Sequence, residues 1–341
     1  MIKEAIARAI EKKDLTRREM EGVMEEILTG KATSGQIACF LTALRAKTET
    51  VEEITGAVIV MRKHVTKIRI KKDTVLDTCG TGGDRKGTFN ISTAAAFVAA
   101  GLGIVVAKHG NRSISSLCGS ADLLEQLGVD INMDEVRAKN CLEEIGIAFL
   151  FAPNFHPAMK FAMPVRQEIG IRTLFNLLGP LTNPADATHQ LVGVYAPVWT
   201  EVVARVLKNI GTKHALVVHG EDGLDEITTT GRTKVSELKG ASITTYTIKP
   251  ENFGIKRTKI RNLYGATAGY NSKILKDILE GKRGPQRDIV LLNAGAAIYA
   301  ADRARSIKEG VKLAAESIDS GAALKKLELL RKYSRKNEGR A

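Results

Sequence analysis

The feature that most constrains this chain is an alternation. From residue 74 onward, short buried-strand patterns at 74–78, 104–107, 147–151, 191–195 and 215–218 are separated by helical patterns. Parallel strands need a crossover between them, usually a helix, so this order specifies an α/β fold with a mainly parallel central sheet flanked by helices. The first 65 residues obey another rule. Leu, Ile, Met and Ala recur there at helical spacing, and Thr16-x-x-Glu19, Thr33-x-x-Gln36 and Thr50-x-x-Glu53 are capping-box patterns, with Gly30 placed to end a helix. About four helices are expected in this opening domain. Helices are expected again at about 287–301 and from 306 onward, and the polar segment 336–341 is expected to fray.

Composition limits what such a fold can do. The 341 residues are 44% hydrophobic and 26% charged, an ordinary globular balance. No apolar run approaches the roughly 20 residues that cross a bilayer, and the first residues show no apolar signal core, so a cytoplasmic protein without membrane contact is expected. Cys39, Cys79, Cys118 and Cys141 are far apart and form no metal-binding pair, which fits a reducing compartment. The net charge of +13 could serve nucleic acid or a polyanionic small substrate. Aromatic residues are only 5% and the basic runs lie apart, so nucleic acid is not the expected partner. Much of the charge reads as solvated surface.

Four segments carry chemistry. Gly80-Thr81-Gly82-Gly83-Asp84 directly follows the first strand pattern, and Asn90-Ile91-Ser92-Thr93 then opens a helix. Glycines allow successive amides to face an anion, and a helix N-terminus adds its positive dipole end, with Ser92 or a neighbour expected as the cap. The run ends in no Walker lysine and is no dinucleotide fingerprint. Lys108-His109-Gly110-Asn111-Arg112-Ser113 follows the second strand pattern, where ligands of α/β sheets gather. Lys108 and Arg112 could neutralise phosphates there. Asp222-Gly223-Leu224-Asp225-Glu226, after another strand, offers oxygen ligands suited to magnesium. Finally, His156 and then Arg166 lie on a segment able to meet a substrate carboxylate. Each segment alone also reads as a tight turn, a basic loop, an acidic turn or a surface ion pair.

Taken together with Gly119-Ser120-Ala121-Asp122 and the stretch Asn176-Leu177-Leu178-Gly179-Pro180-Leu181-Thr182-Asn183-Pro184, these motifs resemble the anthranilate phosphoribosyltransferase family over nearly the whole chain. The resemblance implies a nucleoside-phosphorylase-type fold. A helical domain of 1–65, with helices around 164–183, would form a homodimer interface, and 73–163 with 186–335 would form the catalytic domain. It implies transfer of the phosphoribosyl group of phosphoribosyl pyrophosphate to the amine of anthranilate, the second step of tryptophan synthesis from chorismate. It places the donor on Gly80, Gly83, Asp84, Thr88, Asn90, Ile91, Ser92, Thr93 and on Lys108, His109, Gly110, Asn111, Arg112, Ser113, Ile114, Ser115, Ser116 and Ser120. It places Mg2+ at Ser92, Asp225 and Glu226, and anthranilate at Gly80, Asn111, His156 and Arg166. Lys108, Asn111 and Arg166 are the expected catalytic set, and Cys79 and Cys118 would be small fillers. Two rivals remain at this stage: a pyrimidine nucleoside phosphorylase, which needs a base-clamping lysine absent between Lys160 and Lys208, and a nucleic-acid-binding relative.

Overall fold

A computed structural model describes residues 1–113 and 117–335. The expected donor residues Ile114, Ser115 and Ser116, and the tail 336–341, lie outside them. The opening segment forms α1 (Ile2–Ile10), α2 (Arg17–Leu28), α3 (Ser34–Lys47) and α4 (Val51–Lys63). All three expected capping boxes close with reciprocal bonds. The Glu53 box does more than cap. Its buried carboxylate also accepts from the Leu15 amide (2.9 Å) and the Lys47 ammonium (2.9 Å), tying α4 to the chain before α2 and to the end of α3. Gly30 follows α2 with φ +74, the left-handed conformation that ends a helix at least cost.

The sheet comprises β1 (Leu76–Gly80), β2 (Val106–Gly110), β3 (Ile147–Phe151), β4 (His189–Gly193), β5 (His214–Gly220), β6 (Thr233–Lys239) and β7 (Ser242–Ile248). Their order is β3-β2-β1-β4-β5-β6-β7. The first five strands pair in parallel, and β6 and β7 extend the edge antiparallel. The five parallel strands are those the sequence pattern predicts, with bounds displaced by up to three residues. The hairpin β6–β7 has no counterpart in those expectations, because β7 is rich in Thr, lacks a continuous apolar run and has mostly exposed side chains.

The helices of the larger unit are α5 (Ile91–Gly101), α6 (Ser120–Gln126), α7 (Glu135–Asn140), α8 (Ala152–Phe155), α9 (Met163–Ile169), α10 (Leu174–Leu178), α11 (Trp199–Asn209), α12 (Ala268–Leu279), α13 (Pro285–Ala300), α14 (Ile307–Asp319) and α15 (Ala322–Ser334). Two hydrophobic cores result. One buries α5, α13 and α15 against the sheet. The other joins α2 to α4 with Val165 of α9, Leu174 to Leu178 of α10, and Val203 to Leu207 of α11. No helix among the described residues is long and apolar enough to cross a membrane. All four cysteines are free.

Candidate active site

Connections from β1 run outward through β2 to β3, whereas β4 and β5 lie on the other side of β1. The chain therefore reverses direction between β1 and β4, and in open α/β sheets the crevice at such a switch point receives the ligand. Gly80 ends β1 directly beside Gly193 at the end of β4. Both must be glycine for packing: a Cβ on Gly193 would collide with the Asp225 backbone, and one on Gly80 would lie 2.5 Å from its carboxylate.

Beyond Gly80 the loop turns through Gly82 and Gly83 with φ of +65 and +78. The Gly82 amide donates to Asp225 Oδ2 at 2.9 Å, while the amides of Gly83, Asp84 and Arg85 have no acceptor among the described residues. Consecutive free amides of this kind form an anion-binding concavity. Helix α5 points its N-terminus at the same place. Its cap is Asn90 and not Ser92, and no side chain caps it. Asn90 instead donates to the Cys118 carbonyl (3.1 Å) and accepts from Asn271 (3.1 Å), bracing the loops around the helix start. Thr88 forms a single bridge to Tyr264 in the segment before α12.

Lys108 on β2 is buried beneath this junction, with Nζ donating to the Thr78 carbonyl (2.5 Å) and to Ser92 Oγ (3.3 Å). Burial pulls its pKa down, and the nearby Asp77 and Glu226 charges oppose that. Glu226 accepts from the Ser92 amide at 3.2 Å. Burial pushes the carboxyls of both Asp225 and Glu226 up. For Asp225 the Asp84 charge adds to this, and for Glu226 the Asp225 charge does. Asp225 and Glu226 thus offer adjacent carboxylates in the crevice, with Asp84 close enough for its charge to act on both and Lys108 as the buried cation beside Glu226.

The loop after β2 turns toward α6. Gly110 lies against Ser120 and Phe149 with no space for a Cβ. The Asn111 carbonyl accepts from Ser120 Oγ (3.3 Å) and the Ala121 amide (3.3 Å). Ser113 donates its amide to Asp122 at 3.3 Å. Arg112 departs from expectation: it is exposed and engaged by Asp122 and Glu125 at 2.8 and 2.9 Å, so its charge is already met by the protein. Cys79 also departs. It is buried, but its thiol donates to Asp77 (3.3 Å), so it is more than an apolar filler.

On the other wall His109 and His156 are buried with Nε2 atoms 3.2 Å apart, and His109 Nδ1 meets the Gly179 carbonyl at 3.0 Å. Burial pushes His109 down to about 3 and His156 to about 4, so both imidazoles are neutral near pH 7. Among the described residues, no hydrogen bond or ion pair joins Arg166 on α9 to another expected site residue. Its guanidinium lies 5.3 Å from the Phe175 ring centre and donates to Met163 Sδ (3.4 Å), and no carboxylate among the described residues pairs with it.

Two contributors escape a reading by motif, and a third, Asp77, stands in the glycine-loop motif Asp77-x-x-Gly80-Thr81-Gly82-Gly83-Asp84 with a role that spacing does not show. Asp77 is fully buried and binds the His109 amide (3.1 Å) and Asn183 Nδ2 (2.8 Å), welding β1 to β2 and to the 183 loop. Gly193 admits Asp225, and its place at a strand end was its only signal. Arg172, between α9 and α10, donates to the Gly83 carbonyl, and nothing local distinguishes it from a surface arginine.

Comparison with known proteins agrees with this geometry. Residues 3–65 match the helical bundle domain of a glycosyl transferase family, and residues 72–324 match the a/b domain of that family. The chain is 53% identical over 333 residues to anthranilate phosphoribosyltransferase of Symbiobacterium thermophilum, covering 98% of each. It is 53% identical over 328 residues to that of Acetivibrio thermocellus, covering 96% of this chain and 95% of the relative. The crystal structure of the Thermus thermophilus enzyme superposes with a TM-score of 0.92 at 42% identity, covering 97% of this chain and 99% of that one. The Saccharomyces cerevisiae enzyme in complex with PRPP and Mg gives 0.89 at 28% identity, covering 98% of this chain and 97% of that one.

Proposed function

The chain belongs to the anthranilate phosphoribosyltransferase family, and on that premise we propose how its crevice transfers a phosphoribosyl group from phosphoribosyl pyrophosphate to anthranilate. The observation that carries the reading is convergence. A glycine loop with three free amides, the uncapped start of α5, Lys108, and the Asp225–Glu226 pair meet at the carboxyl ends of β1, β2, β4 and β5.

Breaking the bond between C1 and pyrophosphate leaves positive charge on the ribose and negative charge on the leaving group. The free amides of Gly83, Asp84 and Arg85 and the start of α5 receive the donor's phosphates, while Lys108 lies where leaving-group charge develops. The donor set fits a hard divalent cation: Asp225 and Glu226 are adjacent carboxylates raised by burial and by neighbouring negative charge, and all the ligands offered are oxygens. Bound by Asp225, Glu226 and Ser92, Mg2+ would neutralise pyrophosphate charge. Arg166 holds the acceptor's carboxylate, Asn111 takes part in binding the acceptor, and Gly80 stands at the junction of the two substrates. The neutral His109–His156 pair bounds the acceptor side without adding charge. The aromatic amine is a neutral nucleophile, so orientation matters more than a strong base.

The proposal retains the division into a helical unit (1–65 with 164–183) and a catalytic unit (73–163 with 186–335), since the α9–α10 segment packs on α3 and α4. It includes a homodimer through the helical unit, where Ile10 and Ile59 are exposed, and a cytoplasmic location. Light scattering on the purified chain tests the dimer.

The decisive assay follows loss of anthranilate fluorescence on adding phosphoribosyl pyrophosphate with magnesium and then with chelator. Decay that needs donor and metal supports the proposal. A folded sample with no decay refutes it, and nucleosides with phosphate would be assayed next.

A further inference from the structure

We infer that Arg172 is a further positioning residue of this reaction, acting from the helical unit to set the shape of the donor-binding glycine loop. The inference rests on the crevice reading given above. Arg172 lies six residues beyond Arg166, between α9 and α10, and its neighbours Val165, Leu174 and Phe175 are anchored in the core of the helical unit. Its guanidinium leaves that unit. One arm donates to the carbonyl of Gly83, and the plane stacks 4.6 Å from the ring centre of Tyr195, which follows β4.

Tyr195 belongs to the same grip. Its amide donates to Thr81 Oγ1 at 3.1 Å, and the Thr81 amide donates to the Gly193 carbonyl at 2.9 Å. The glycine loop is therefore held at three points: Thr81 by the end of β4, the Gly82 amide by Asp225, and the Gly83 carbonyl by Arg172. Only the last comes from the unit that also carries Arg166.

The chemistry of a peptide bond makes that point consequential. In a trans peptide the C=O and N–H vectors are antiparallel. A carbonyl of Gly83 turned to Arg172 therefore turns the Asp84 amide the opposite way, and that amide is one of the three without an acceptor among the described residues. A side chain in place of Gly83 would be strained in this arrangement. A Cβ there would lie 3.2 Å from Arg172 Nε, and the residue already stands at φ +78. No carboxylate among the described residues forms an ion pair with Arg172, so its hydrogen bond to the carbonyl keeps its full charge-assisted character. The same contact makes donor-loop shape depend on the seating of the segment that holds Arg166, which couples the two halves of the crevice.

The test compares Arg172→Ala and Arg172→Lys with the unchanged chain. Donor affinity is first measured by calorimetry with phosphoribosyl pyrophosphate and magnesium but no anthranilate. Hydrogen exchange of the peptide spanning 80–87 is then followed without any ligand. Loss of one charge-assisted bond predicts donor binding weakened about tenfold in Arg172→Ala, with the anthranilate KM changed by less than about twofold. Faster exchange should be confined to the glycine loop. Arg172→Lys keeps a charged donor and should recover part of the affinity. Unchanged donor affinity and loop exchange would overturn the inference. So would equal rises in both KM values accompanied by a lowered unfolding midpoint, which marks a purely structural residue. Absence of donor binding by the unchanged chain would instead refute the functional proposal.

Discussion

Replacing Arg166 by alanine should weaken anthranilate binding selectively, and the structure sets the scale. The guanidinium is half-buried over Phe175 with only a methionine sulfur as acceptor among the described residues, and no carboxylate there offsets it. Burial lowers its pKa, yet a guanidinium remains charged at any working pH. A half-buried cation without an anion is costly, and a substrate carboxylate relieves that cost. A bidentate charge-assisted pair contributes about 1.5–3 kcal/mol, so Arg166→Ala should raise the anthranilate KM by roughly 10- to 150-fold. The donor amides and Lys108 are untouched, so the phosphoribosyl pyrophosphate KM should change by less than about twofold. Initial rates of fluorescence decay, with each substrate varied in turn, give both constants. Arg166→Met separates charge from packing, because it keeps an apolar stem over Phe175. Wild-type acceptor kinetics in the methionine variant, or equal KM rises for both substrates in the alanine variant, would refute the reasoning.

Three further outcomes follow from named contacts. Asp225→Ala combined with Glu226→Ala should move the magnesium dependence of the rate to higher concentration, and a titration curve that does not move would remove both residues from the metal site. Thr48 sits at φ +79 and ψ 129, where a β-branched residue is strained, so Thr48→Gly should stabilise the fold by about 1 kcal/mol in urea unfolding despite the added chain entropy. Burial alone would raise the Glu237 carboxyl, but hydrogen bonds from His214, Tyr299 and Tyr246 bring it from 4.5 to about 2. That stability is present above the unfolded pKa and is lost as pH falls through about 4.5 to about 2, so Glu237→Gln should flatten the pH dependence of unfolding in this window.

Legibility differed by segment. The capping boxes at Thr16, Thr33 and Thr50 were readable because both partners lie three residues apart. The start of α5 was misread at one position. Asn90 takes the cap position but is drawn into bonds with Cys118 and Asn271, far along the chain. Arg112 was expected to face phosphate, yet Asp122 and Glu125 on α6 claim it. The hairpin β6–β7 was not legible because its polar and charged residues interrupt any apolar run, and pairing of β6 against β5 and of β7 against β6 forms the two strands.

The sequence by itself determined the order of elements, the glycine loop that must adopt positive φ, and the motifs by which the family is known. These depend on interactions within about four residues or on the periodicity of burial. Only the tertiary structure decided that Asp225 reaches Gly82 across 143 residues and Glu226 reaches Ser92 across 134. It also decided that Arg112 is neutralised while Arg166 is not, and that Arg172 grips Gly83. The physical reason is that charge state and hydrogen-bond partners follow from burial and from which strand ends meet. The order β3-β2-β1-β4-β5, which sets those meetings, is a property of packing and not of any local stretch of chain.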